Sequence, residues 1–365
     1  MTDLAGSVQT VLGPVPPSGL GITLPHEHLF VDLSSLLNVP PNARAQELAR
    51  LPFTVENLGW IRYNYFSHYD NVILENEETC LSELSLFRRA GGGTIVDVTT
   101  VGIGRDPIAL ARVARASGIN VVMATGYYVE GTHPRYVGSA TEQDLVNRMV
   151  NEIREGAILD RIDVPSQDVV RSDQQTDIKA GIIKIGCSYP LTANEKKALS
   201  AASETQRQTG AAITIHVGRH DQSALEIIEF LLSAGADIKQ TIIGHLDIRI
   251  EHLDTLDEVA KSGCYLEFDL FGHEISNFPN APRDMPSDAQ RLDLVEHVID
   301  LGFLERILIS HDIANKHRLS HYGGHGYGYI PECVAPRMRE RGFSASAVST
   351  ILVSNPARAL AFAPV

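Results

Sequence analysis

Cysteine is scarce in this chain: Cys80, Cys187, Cys264 and Cys333 stand far apart and form no C-x-x-C pair. In 365 residues that scatter argues against a disulfide framework and reads as reduced, intracellular thiols. Basic residues are in the minority as well, 31 Lys and Arg against 45 Asp and Glu, for a formal net charge of -14. Nucleic acid and anionic membranes are held by clustered Lys and Arg, so neither is expected as a partner. A small-molecule substrate is compatible with this balance. No apolar run approaches the roughly 18 residues of a membrane span. The opening MTDLAGSVQT has no basic stretch followed by an apolar one, so no signal peptide is expected, and the protein is expected in the cytoplasm. Also missing are a G-x-S-x-G nucleophile elbow, a Gly-rich dinucleotide turn, low-complexity tracts and any repeat longer than a βα unit.

What the chain does contain is 44% hydrophobic residues and 29 glycines, enough for a large core that needs no covalent staple. Short β-branched runs fall at 21–24, 94–99, 120–124, 181–185, 212–216, 241–244, 264–268 and 306–310. Between them, helical periodicity covers 75–90, 107–117, 142–155, 194–208, 223–234, 252–261 and 288–301. Gly91, Gly118, Gly210, Gly235, Gly263 and Gly302 each punctuate a helix-to-strand junction, as a C-terminal cap does. Continuous apolar strands alternating with helices predict a parallel sheet covered on both faces. Eight such units predict a single-domain (β/α)8 TIM barrel over 1–365, with the barrel proper at 20–360. Residues 32–76, polar and proline-marked with helical character at 55–67, read as an insertion after the first strand. Residues 158–178 show no clear element, and 8–12 read as a short hairpin or plug at one barrel end.

The chemistry gathers at strand ends. Pro25-His26-Glu27-His28 closes the first strand, and alternation sends both histidines to one side, where they can grip one ion. Glu27 then points elsewhere, as a structural group. His216 ends the fifth strand, His245 the sixth, and Ser310-His311-Asp312 the eighth. A lone histidine after an apolar strand is usually a satisfied structural residue, and a lone Asp there is usually a helix cap. Together they fall where barrel active sites are assembled, and imidazole with carboxylate is the donor set of hydrolytic zinc sites. Asp312 is therefore expected to bind metal and to take a proton. His311 is aimed away from Asp312 and reads as a supporting residue. Lys184 lies in the apolar run Gly181-Ile182-Ile183-Lys184-Ile185-Gly186. A buried ammonium tends to lose its proton, and the neutral amine could form a carbamate between two cations. A lysine reaching the barrel mouth to pair with a carboxylate fits the same spacing.

The segments 25–29, 182–188, 214–217, 244–247 and 310–313 resemble the phosphotriesterase family of the amidohydrolase superfamily. So do Val96-Asp97-Val98-Thr99-Thr100, Gly102-Ile103-Gly104-Arg105-Asp106 and Asn355-Pro356-Ala357-Arg358, and the likeness spans essentially the whole chain. The resemblance implies two divalent metals, zinc first with cobalt or manganese as alternatives. His26 and His28 would bind the more buried ion with Asp312, and His216 and His245 the more exposed one. An N6-carboxylated Lys184 would bridge them, and Lys184 and Asp312 are thus the expected catalytic pair. The stretches 8–13, 186–192, 264–272 and 322–327 are closer to the phosphotriesterase-related subgroup. Its animal members look like amidases acting on small N-acyl amino-sulfonates. Some of these carry Glu in place of the bridging lysine, whereas this chain has Lys184.

The resemblance accordingly implies a binuclear metal-dependent hydrolase in which metal-activated hydroxide attacks an amide, ester or lactone of a small substrate. An N-acyl amino acid or N-acyl taurine is the leading candidate. Phosphotriester hydrolase, lactonase and mononuclear deaminase are the alternatives. Phe268-Asp269-Leu270-Phe271-Gly272 has no Arg where lactonases carry one, which argues against a homoserine lactone. Tyr127, Tyr128, Phe271, Tyr322, His325 and Tyr327 are candidate pocket walls, and Arg318 or Arg249 could meet an anionic group. Family habit also predicts a homodimer.

Overall fold

Each of the eight β-branched runs becomes a parallel strand of one sheet in the computed structural model, which describes residues 4–163, 168–170, 174–275 and 284–365. The strands are β1 Ile22–Glu27, β2 Gly92–Asp97, β3 Asn120–Tyr127, β4 Ile182–Gly186, β5 Ile213–His216, β6 Thr241–Ile243, β7 Tyr265–Phe268 and β8 Ile307–Ile309. They pair in chain order from β1 to β8. Between them run α1 Glu77–Arg89, α2 Pro107–Ser117, α3 Glu142–Arg154, α4 Ala193–Thr209, α5 Ser223–Ser233, α6 Leu253–Lys261 and α7 Asp288–Asp300. A side-chain and a backbone hydrogen bond close the seam between β8 and β1. The His26 N–H donates to Ser310 Oγ at 3.1 Å, and the Asp312 N–H donates to the His26 carbonyl at 3.1 Å. The result is the expected (β/α)8 barrel.

Strict alternation decides what faces inward. Val96, Val122, Ile182, Ala212, Ile242, Tyr265 and Leu308 pack together in the barrel interior, joined by Val8 and Leu20 from the N-terminal segment. Their outward neighbours, such as Ile95, Ile183, Ile213 and Leu266, pack against the helices. Val8–Thr10 pairs with Gly13–Val15 as an antiparallel hairpin, and Val8 reaches this interior cluster, so the hairpin plugs the barrel.

The structure adds detail at three places. β1 runs past residue 24 to Glu27, through a register shift between Leu24 and Glu27. A bulge there tolerates Pro25, which has no N–H to give to a ladder. The insertion holds two short helices, Leu58–Tyr63 and Ala43–Leu48, the latter capped by the Asn42 side chain at the Ala45 N–H, 2.9 Å. Its ends are tied by the antiparallel pair Val31–Asp32 and Ile73–Leu74. In 158–178, Arg161–Asp163 pairs antiparallel with Asp168–Val170; strands of three residues are too short to show a period. Residues 164–167 and 171–173 of that stretch lie outside the described residues. Among the described residues no helix is long and apolar enough to cross a membrane.

Candidate active site

Inward parity carries Lys184, Thr214, His216, Glu267 and Asp312 towards the C-terminal rim. Lys184 pairs in register with Gly126 of β3 and Thr214 of β5. A Cβ at Gly126 would meet the Lys184 carbonyl oxygen at 2.2 Å, so only glycine lets β3 pass this close. Lys184 is buried, and its Nζ lies 2.9 Å from His26 Nε2. His28 Nε2 is 3.3 Å from Asp312 Oδ1. His245 Nε2 is 2.6 Å from His216 Nδ1. The His26 and His245 rings stand 4.9 Å apart, centroid to centroid, and link the two halves. All six expected residues thus meet in one cluster.

His245 and Asp312 need more than alternation. Both lie beyond their strand ends, and both adopt left-handed backbone, φ 57 and φ 53. Among the described residues they are the two non-glycine positions that do. Such conformations cost on the order of 1–3 kcal/mol each and persist where the surroundings over-determine them. Asp269 supplies that at His245, accepting its N–H at 2.9 Å and lying 2.6 Å from its ring Nδ1. At Asp312, Arg318 holds the turn by donating to the carbonyls of Asp312, His311 and Phe271 at 2.9, 2.6 and 3.1 Å.

The rear ring nitrogens are anchored by partners absent from the sequence reading. His26 Nδ1 lies 2.7 Å from Glu267 and 3.1 Å from Asp269, and His28 Nδ1 lies 2.8 Å from Thr99 Oγ1. Gly244 leaves the room for this, since a Cβ there would meet Asp269 at 3.0 Å and Glu267 at 3.2 Å. Glu267 in the apolar run Tyr265-Leu266-Glu267-Phe268 gives the signal that Lys184 gives, a charge embedded in a strand. Glu27 sits behind the opposite wall and accepts the N–H groups of His311 and Ile313, both at 2.9 Å, with His311 Nδ1 at 2.7 Å.

Electrostatics follow from burial and these carboxylates. Burial pushes Lys184 below its ordinary value, against the pull of Asp312, Glu267 and Asp269. Burial also holds His216 well below its usual value, helped by His245 and Arg249, so its ring is neutral. At His26, burial and Lys184 pull down, but Glu267 and Asp269 outweigh them and push the ring up to about 10. Burial alone would raise Asp312, yet its hydrogen bond to His28 and the charges of His26 and His245 hold it well below the usual carboxylate range.

This donor set fits divalent cations. Two groups bring their donor atoms within 4.8 Å of one another: His26, His28 and Asp312, and His26, His245 and Asp269. Imidazoles tethered through the far nitrogen by carboxylate or hydroxyl are the usual support of metal ligands. His245 Nε2 and His216 Nδ1 face each other at 2.6 Å, two imidazole nitrogens directed at one point.

The expected pocket walls divide. Tyr128 reaches the cluster, its hydroxyl 3.2 Å from His216 Nδ1. Tyr127 does not: Gly126 takes the inward position on β3, so Tyr127 turns outward, its ring 6.4 Å from Tyr136. Phe271 is buried in the main core. His325 stacks on His311 at 5.3 Å and accepts from Arg318 Nε at 3.3 Å, and Tyr327 donates to the His28 carbonyl at 2.7 Å. Tyr322 packs on Phe53 of the insertion, centroids 4.9 Å apart.

Histidines, a carboxylate and a buried lysine at the C-terminal rim of a parallel barrel mark the class as a (β/α)8 hydrolase. The phosphotriesterase family model matches residues 6–360, and the chain belongs to that family. A relative from Xenopus tropicalis, an N-acetyltaurine hydrolase, is 42% identical over 99% of this chain and 100% of its own length. Among solved structures, a resiniferatoxin-binding protein from Rhodobacter sphaeroides superposes with a TM-score of 0.90 at 32% identity, covering 99% of this chain and 98% of the other. A lactonase from Listeria monocytogenes gives 0.75 at 25% identity, covering 98% and 100%.

Proposed function

We propose that this hydrolase is metal-dependent and cleaves the acyl amide of a small N-acylated amino-sulfonate of the N-acetyltaurine kind. The observation that carries the reading is the complete six-residue cluster in a chain alignable end to end with N-acetyltaurine hydrolases. His26, His28 and Asp312 would hold one divalent cation, His216 and His245 a second, with Lys184 between them. Zinc is the first choice, cobalt or manganese the alternatives. When bound, such ions polarise a carbonyl and lower the pKa of water towards about 7. Burial pulls Lys184 below its ordinary value and so favours the neutral amine, whose nitrogen can add to carbon dioxide, losing one proton and leaving a carbamate with two oxygens. Asp312, ionised throughout the physiological range, accepts the proton of the attacking water and returns it to the departing amine nitrogen. Glu267, Asp269 and Thr99 keep the imidazoles oriented throughout.

Lactone cleavage is the second reading, favoured by the Listeria lactonase, because it needs the same attack on a carbonyl carbon. Metal analysis of the purified protein, followed by turnover of N-acetyltaurine, N-acyl amino acids, lactones, aryl esters and a phosphotriester, separates the readings. Two ions per chain and N-acetyltaurine as the best substrate are expected, with loss of turnover on chelation. One ion per chain would favour a deaminase, and faster phosphotriester cleavage an organophosphate hydrolase. Undiminished turnover in the metal-free protein would overturn the proposal. A cytoplasmic homodimer completes it, and sedimentation velocity tests the dimer.

A further inference from the structure

We infer that Arg291, in the first turn of α7, is a positioning residue that locks the turns after β6 and β7 together and so sets where Asp269 holds the imidazoles of His26 and His245. The inference rests on the metal-dependent reading and extends it to a residue that acts through Asp269.

β7 ends at Phe268, so the placement of Asp269 depends on the turn that follows it. That turn is gripped from α7. Arg291 is fully buried, and each of its three guanidinium nitrogens donates to a different acceptor. Nε donates to Asp247 Oδ2 at 2.9 Å, Nη1 to Asp288 Oδ1 at 2.7 Å and Nη2 to the His273 carbonyl at 2.9 Å. The two carboxylates pass the grip on. Asp247 Oδ2 also accepts the Leu270 N–H at 2.9 Å, and Asp288 Oδ1 the Gly272 N–H at 2.9 Å. Leu270, Gly272 and His273 are thereby held by one guanidinium and the two carboxylates it pairs with.

Asp247 makes the link to the other turn. It follows His245 by two residues, in the short helix Leu246–Arg249 after β6. Arg291 therefore ties the turn that carries His245 to the turn that carries Asp269. Those are the two turns that Asp269 itself joins, accepting the His245 N–H at 2.9 Å and lying 2.6 Å from its Nδ1, with His26 Nδ1 at 3.1 Å. Binding constellations must be held within about 0.5 Å of their productive geometry, so the relative placement of the two turns matters. A planar fork with donors in three fixed directions suits that task, and an ammonium on a flexible stem does not. The other buried members of α7, Leu292, Val295 and Val298, are apolar. A buried ion pair among them adds little stability over packed hydrocarbon, so its value lies in geometry.

The test compares wild type with Arg291→Lys, Asp288→Ala and Arg105→Lys. Arg105 forms another buried pair, 2.6 Å from Glu152 and between other segments, and serves as the control. Two signals are read besides activity. One is the divalent-metal Kd, by competition with a chromophoric chelator. The other is the imidazole N–H resonances of His26 and His245 in chelated protein carrying isotope-labelled histidine. Arg291→Lys should raise the metal Kd about 10-fold, the low end for a supporting partner because it acts at one remove, and shift the His245 resonance. Asp288 is partly exposed, so Asp288→Ala should move both signals the same way by less, and it carries the test should the buried substitution unfold the chain. Arg105→Lys should leave both signals in place even where the urea midpoint falls. Signals unmoved in the two α7 variants, or moved as far by Arg105→Lys, would overturn the inference. A wild type that binds no divalent cation would sink the metal reading alone, since the His245 resonance reports the hold of Asp269 without an ion.

Discussion

Asp269 touches two imidazoles at once, lying 2.6 Å from His245 Nδ1 and 3.1 Å from His26 Nδ1. Burial alone would raise its pKa, yet the two rings hold it well below the ordinary carboxylate range, so it stays an anion that fixes both tautomers. Asp269→Asn should therefore weaken metal binding about 10- to 100-fold, readable by competition with a chromophoric chelator. Lys184→Ala should lose most metal and most activity. Partial return of both with added acetate or propionate would mark the carbamate, because a free carboxylate can stand in for its two oxygens. Metal loading unchanged by Lys184→Ala would count against the bridge.

At the scale of elements, the segment between β2 and α2 is tied to α3 through a buried pair. Arg105 grips both oxygens of Glu152, at 2.6 and 2.7 Å, and Thr125 on β3 donates to the same carboxylate at 2.5 Å. Arg148 still lies 3.4 Å from the same carboxylate, so Arg105→Met strips Glu152 of its two-pronged partner without leaving it unpaired and should cost about 3 kcal/mol, the low end for a broken buried pair, in urea unfolding at pH 7. Burial would raise Glu152, but Arg105 outweighs it and lowers the pKa from 4.5 to about 2. A depressed carboxylate stabilises the fold above its ordinary value, and that contribution fades as pH falls from 4.5 towards 2. The stability gap between wild type and Glu152→Gln should therefore narrow below about pH 4 and stay constant above pH 6.

Across the whole molecule, the proposed ligands come from β1, β4 and β5 and from the turns after β6 and β8, so bound ions would cross-link most of the barrel. Metal removal should lower Tm, with a loss of about 4 kcal/mol where free metal stood a thousandfold above Kd. The interior cluster and the helix-facing core do not depend on the ions, so far-UV circular dichroism at 25 °C should be retained. A chelated protein that lost its helical signal would show that the centre organises the fold rather than occupying it.

Periodicity was enough for the barrel, because eight apolar strands alternating with amphipathic helices can bury their faces in few other ways. The residues that meet at the rim were also legible, since His26, His28, Lys184, His216, His245 and Asp312 are polar groups in or just beyond apolar strands. Tyr127 and Tyr128 show the limit: adjacent aromatics look alike in sequence, and only the pairing of Gly126 with Lys184 decides which one faces inward. Glu267 and Asp269 join His26 and His245 across gaps of 241 and 24 residues, contacts that no local pattern encodes. The left-handed turns at His245 and Asp312 belong to the tertiary structure too, since Asp269 holds the first from beyond the end of β7 and Glu27, 284 and 286 residues away, takes the N–H groups flanking the second.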